Sequence, residues 1–174
     1  MSRRLEPESL KRLRNAGPAL TARRTLYEAV RRFFADRGYL EVQTPVRIPA
    51  PALEDWIDAL HADGQYLRTS PELHMKRLLA AGHERIFQIG PCFRAGESGP
   101  RHAEEFTMLE WYRSGADADK LLAETHDLLA NVADAVLGTP VVSFRGRPIN
   151  LTAPIEELPV DTAFAKFATE RIGV

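Results

Sequence analysis

The run Glu105-Phe-Thr-Met-Leu-Glu-Trp-Tyr-Arg113 alternates strictly, which sends Phe106, Met108, Glu110 and Tyr112 to one face of a strand and Thr107, Leu109 and Trp111 to the other. One face therefore carries a carboxylate among aromatic and apolar neighbours. Burying that charge without a cation is costly, so Glu110 either pairs with an Arg or Lys of the protein or receives a cationic ligand. Residue statistics favour the internal pair, and the strand alone does not decide between the two.

Immediately upstream, residues 95–103 hold two glycines, a proline and several charges, and read as a loop. Ile86 to Ile89 and Cys92 to Arg94 read as short strands parted by Gly90-Pro91, so strand, loop and strand form a hairpin. Arg94 leads into a loop holding Glu97, Arg101 and His102, an arrangement suited to two-pronged phosphate recognition by a guanidinium.

Further upstream, Ser70-Pro71 opens a helix that Gly82 closes. Residues 46–64, with Pro49, Pro51 and several acids, read as a long loop. Tyr39 to Thr44 alternates as a strand that ends at Pro45. Before it, Leu26, Val30, Phe33 and Phe34 recur at helical spacing, from Thr21 as N-cap to Gly38 as stop. The charged, Pro/Gly-punctuated residues 1–20 read as a leader segment without assigned function.

Downstream, Leu121, Leu122, Thr125, Leu128, Leu129, Val132 and Val136 give an amphipathic helix over 119–137 that stops at Gly138. A hairpin turning at Gly146 follows. A last short helix over 161–169 is expected to hold Phe164 and Phe167 inward. Residues 21–174 thus read as one α+β unit built on an antiparallel sheet flanked by helices.

Composition narrows the class of function. In 174 residues, 23 Lys and Arg nearly cancel 24 Asp and Glu, so no positive field advertises a tRNA partner. No apolar run approaches the roughly 20 residues that span a bilayer, and no secretion signal opens the chain, so a cytoplasmic location and no membrane contact are expected. Cys92 is the single cysteine, which excludes an internal disulfide and favours a small buried side chain over a reactive thiol. His61, His74, His83 and His126 lack metal-ligand spacing. Trp56 reads equally as a pocket cover or a loop anchor.

Three segments in this order resemble one family. They are Thr69-Ser-Pro-Glu-Leu-His-Met-Lys-Arg-Leu-Leu79, then Phe93-Arg94 with Glu97 and His102, then 105–113. Together they are similar to lysine-type class II aminoacyl-tRNA synthetases, whose second motif the last run matches. Phe33-Phe34, Arg37 to Val42 and Thr44-Pro45 resemble the first motif, which builds a homodimer interface around its proline, here Pro45. The resemblance implies ATP as cosubstrate, with Arg94 holding its α-phosphate and the substrate carboxylate, Phe106 stacking on adenine and His102 near the triphosphate. It implies that Glu110 and Tyr112 receive a lysine ammonium and that Glu72 faces the substrate amino group. The family's glutamate two places after the arginine is Gly96 here, with Glu97 one place later as its substitute, and the family's Asn-Pro is Ala103-Glu104. The adenine contact and ATP affinity are expected to differ accordingly.

With about twenty residues ahead of the first motif there is no room for an anticodon-binding barrel. The resemblance is then greatest to the stand-alone paralogues that activate lysine or β-lysine and transfer it to a lysine side chain of elongation factor P. The family's third motif and the acidic ligands of Mg2+ do not follow before Val174, so an incomplete core, inactive by itself, is expected, with no metal ligands in this half. Two alternatives stand beside this reading. One is a stand-alone ligase with a small amine acceptor, and the other a non-catalytic paralogue acting as a dimerisation or binding module.

Overall fold

The computed structural model describes residues 8–172. The first seven residues of the leader segment lie outside them. Contacts divide the chain into two compact units that meet at Leu121 and Leu122.

The first unit begins with α1 (Glu8–Asn15) and α2 (Gly17–Asp36). Helix α2 starts a full turn ahead of Thr21, because Gly17-Pro18 supplies a proline at the first positions, where its missing N–H costs nothing. Thr21 is no cap; its hydroxyl donates back to the Gly17 carbonyl. Gly38 ends the segment with φ of 74°, a left-handed conformation open to glycine.

The strand expected over 39–44 shrinks to β1 (Leu40–Glu41), which runs parallel to β5 (Arg85–Phe93). β5 pairs along its full length with antiparallel β6 (Glu105–Arg113), giving a mixed sheet in the order β1-β5-β6. Gly90-Pro91 does not interrupt β5. The Arg94 amide donates to the Glu104 carbonyl, and the Ser114 amide to that of Glu84. Even-numbered residues of β5 thus make the ladder bonds to β6, and Pro91 stands where no donor is needed.

Odd-numbered residues of both strands face α2. Phe34 is fully buried, its ring stacked 4.7 Å from Phe87 and lying 5.0 Å from Tyr39 and 5.5 Å from Trp111. Beside this aromatic core a cleft of about 370 Å³ opens between α2 and the sheet, lined by Leu26, Val30, Ile89 and Leu109.

The loop expected over 46–64 contains strands. β2 (Arg47–Ile48), β3 (His61–Ala62) and β4 (Gln65–Leu67) form a second antiparallel sheet in the order β2-β4-β3. Asp63-Gly64, with φ of 50° and 71°, turns β3 into β4. Trp56 is 94% exposed and neither anchors this segment nor covers a pocket. Helix α3 (Glu72–Ala80) follows, with buried Met75.

The second unit comprises most of α4 (Ala118–Leu137), the hairpin of β7 (Val141–Phe144) and β8 (Arg147–Asn150), and α5 (Val160–Ile172). Arg145-Gly146 is the hairpin turn. Helix α4 buries Glu124, Leu128 and Ala133, whereas Leu122 and Leu129 from the expected apolar face are exposed. Phe164 and Phe167, expected inward, are exposed as well: with Val160 they share one stripe of α5 that remains open to solvent. No helix among the described residues is long and apolar enough to cross a membrane.

Candidate active site

Antiparallel partners share a face, so the register that pairs Gln88 with Glu110, Gly90 with Met108 and Cys92 with Phe106 sets all of these on the side of the sheet opposite α2. Arg94, one pair beyond the strand, lies on the same side, with its guanidinium carbon 5.2 Å from the centre of the Phe106 ring. From Phe106 to Glu110 the strand advances about 13 Å. The face is therefore elongated, cationic and aromatic at one end and acidic at the other.

At the acidic end, Glu110 is half-buried and accepts hydrogen bonds from the Ser70 hydroxyl at 2.8 Å and the Tyr112 hydroxyl at 2.6 Å. Of the two fates left open for this carboxylate, the internal ion pair is not the one adopted: among the described residues no Arg, Lys or His lies within ion-pairing distance of it. Ser70 holds two elements at once, since its oxygen also accepts the amide of Glu72 at 3.1 Å and so tethers the start of α3 to β6. Glu72 itself forms an ion pair with Lys76 one turn along the helix.

Burial pushes the Tyr112 phenol well above its ordinary value, and the hydrogen bond and charge of Glu110, with the charge of Glu72, add to that. The folded state thus holds this proton more tightly than the unfolded chain does. A group raised in this way contributes stability that is complete below its ordinary value of 10.0 and is lost as pH rises beyond it. In urea titrations, the stability lead of the wild type over Tyr112→Phe is expected to stay level from about pH 7 to 9 and to shrink above about pH 10. A lead that grows with alkalinity contradicts the assignment.

At the cationic end, Arg94 is only loosely engaged. Glu97 approaches its Nη1 at 3.9 Å, and its Nε is buried without a partner. The loop is shaped by Glu104, which stands where the resemblance implies an Asn-Pro: its carboxylate accepts the Gly96 amide at 2.7 Å. Gly99 and His102 pair through their main chains, and the exposed His102 thereby sits out at the far turn of the loop.

Across from Phe106 lies buried Cys92, its sulfur 3.9 Å from that of Met108. Burial raises its thiol, against the lowering influence of Arg68 and Arg94, while Glu110 raises it further.

The structure brings Arg94, Glu97 and Phe106 together at one end, and Glu72, Glu110 and Tyr112 together at the other. Pro45 is exposed on the chain just after β1. Ser70, Glu104 and Arg68 are the residues that sequence reasoning passed over as site residues. No group of three or more His, Cys, Asp or Glu among the described residues is placed to hold a metal ion.

A helix-backed sheet whose long antiparallel hairpin carries an arginine at one end of one face and a hydroxyl-held acid at the other fits the class II synthetase resemblance of the sequence. Residues 7–173 match the model of the tRNA synthetases class II (D, K and N), and the chain belongs to that family. It is 42% identical over 165 residues to an elongation factor P–(R)-beta-lysine ligase of Pectobacterium atrosepticum, covering 89% of this chain and 50% of that protein. A ligase of the same name from Photorhabdus laumondii is 47% identical over 125 residues, 66% of this chain and 38% of that protein. A lysine–tRNA ligase of Variovorax paradoxus is 35% identical over 160 residues, 88% of this chain and 31% of that protein. The chain spans at most about half the length of these curated relatives.

Proposed function

We propose that this chain forms the lysine- and ATP-binding face of a ligase that activates lysine or β-lysine and passes it to a lysine side chain of elongation factor P. One observation carries the reading. Glu110 is a half-buried carboxylate, held by two hydroxyls and matched by no cation among the described residues, on the same face as a loosely engaged arginine beside an aromatic ring. Such a carboxylate fits an incoming ammonium, and such an arginine fits a phosphate.

In this reading the side-chain ammonium of the substrate sits against Glu110 and Tyr112, its other amino group faces Glu72, and its carboxylate points toward Arg94. Adenine stacks on Phe106, with Glu97 and His102 on the adenine and triphosphate sides. A carboxylate oxygen attacks the α-phosphorus, the bond to the β-phosphate breaks, and pyrophosphate leaves with that electron pair. Arg94 neutralises the charge that gathers on the α-phosphate oxygens. The neutral amine of the acceptor then attacks the carbonyl carbon, an amide forms, AMP departs, and the amine proton is released.

The names of the two more similar relatives support elongation factor P as acceptor over tRNA, and the near-neutral charge fits a protein acceptor. The same reading places the protein in the cytoplasm as a homodimer formed around Pro45. Isothermal titration of this chain tests the amine end. Lysine or (R)-β-lysine is expected to bind, and norleucine, which has the same carbon chain but no terminal ammonium, is expected to bind at least about a hundredfold more weakly. Equal binding of norleucine refutes the role of Glu110.

A further inference from the structure

We propose that Arg68, a buried arginine outside the ligand-contacting set, is the positioning residue that fixes the spacing between the amine and phosphate ends of the face. This rests on the function proposed above. Arg68 is 2% exposed. Its Nε donates to the Pro91 carbonyl at 2.9 Å, and its Nη1 to the Thr44 carbonyl at 2.9 Å and hydroxyl at 3.0 Å. Its own amide donates to Val46 and its carbonyl accepts the amide of Phe93, both at 2.9 Å. One residue thereby joins the segment after β1, the end of β4 and the last residues of β5.

Its neighbours in sequence are the ends of the site. Two residues on, Ser70 grips Glu110, and one residue beyond Phe93 stands Arg94. Through Thr44, whose amide and hydroxyl both donate to Gln88 at 2.9 Å, the network also reaches the cross-strand partner of Glu110. The guanidinium lies against Gly90 on the face that carries Glu110: a Cβ built on Gly90 meets Nη2 at 2.6 Å.

Stability gives a poor account of this residue. Among the described residues no carboxylate pairs with the Arg68 guanidinium, and a buried charge held by neutral oxygens alone carries a desolvation cost that an apolar side chain of similar length avoids. What an apolar side chain lacks is the planar fork, which bonds two separate segments in fixed directions. That property matters for a ligand that must touch both ends at once.

The test compares ligands that fill one end with a ligand that spans both. Lysine, ATP and the non-hydrolysable lysyl-sulfamoyl-adenosine are titrated into the wild type, Arg68→Met and Arg68→Lys at a temperature well below the melting point of each. Lysine and ATP taken singly are expected to bind Arg68→Met within about threefold of wild type, while the spanning analogue weakens at least about tenfold. Arg68→Lys keeps the charge without the fork and is expected to leave most of that deficit in place.

A loss for the spanning ligand no greater than the product of the losses for its parts makes Arg68 merely structural and overturns the proposal. So does full rescue by lysine. Should Arg68→Met fail to fold, Gly90→Ala, which keeps the charge and crowds the fork, is expected to give the same split, and a wild-type ratio there is equally fatal. Failure of the wild type to bind the analogue at all is a different result, and it removes the proposed function along with this inference.

Discussion

Arg94→Ala is expected to abolish measurable ATP binding. Hydrogen bonds to charged groups contribute about 1.5–3 kcal/mol each, so loss of a two-pronged phosphate contact corresponds to a weakening of at least about a hundredfold. The fold should hardly notice. Arg94 gives up only a 3.9 Å approach to Glu97 and a contact with Phe106 at 5.2 Å, together worth no more than about 1 kcal/mol at a partly exposed site. A fluorescent ATP analogue and a thermal melt on the same sample separate the two effects. Lysine, whose amine end is untouched, is expected to lose far less than ATP. A variant that binds ATP as the wild type does places the nucleotide elsewhere and favours a pure interaction module.

Glu110→Gln has the opposite selectivity. The side-chain ammonium of lysine loses its only counter-charge at a half-buried position, which costs about 2–4 kcal/mol, or roughly 30- to 1000-fold in affinity. ATP binding is expected to persist. Stability in the absence of ligand should stay level or rise by about 1 kcal/mol, because the wild-type carboxylate is held by Ser70 and Tyr112 with no cation among the described residues to offset its burial. Calorimetry of ligand binding and denaturant unfolding check the two halves of this expectation. A destabilised Glu110→Gln with intact lysine affinity reverses it and makes Glu110 a structural acid.

Alternation along 105–113 is sufficient to place Phe106, Glu110 and Tyr112 on one face, since the period of a strand is local information. The neutral partners of Glu110 were not legible in the same way. Ser70 approaches it from 40 positions away, and nothing near either residue encodes that meeting. The role of Arg68 is hidden for the same reason, its bonds going to Thr44 and Pro91. Gly90-Pro91 misled because a proline weakens a strand only where its missing donor is needed, and which positions those are depends on a partner strand not yet placed.

Other differences have local signals that compete with stronger ones nearby. Asp63-Gly64 is a strong hairpin turn pair, yet its two- and three-residue strands lie inside a polar, proline-containing region that otherwise reads as loop. Gly17-Pro18 marks a helix start as clearly as Thr21 does, but the apolar periodicity begins only after Thr21. For Phe164 and Phe167 the helical period was right and the burial was not, since periodicity shows which residues share a stripe but not whether anything covers it.

The central claim is that one face of the sheet binds an ammonium at Glu110 and a phosphate at Arg94 in the same molecule. A crystal structure of the chain with lysyl-sulfamoyl-adenosine tests it most directly. The account predicts the terminal ammonium between Glu110 and Tyr112, the sulfamoyl oxygens against Arg94 and the adenine on Phe106. An analogue bound with its ammonium away from Glu110, or seated in the cleft beneath α2 on the opposite side of the sheet, contradicts it.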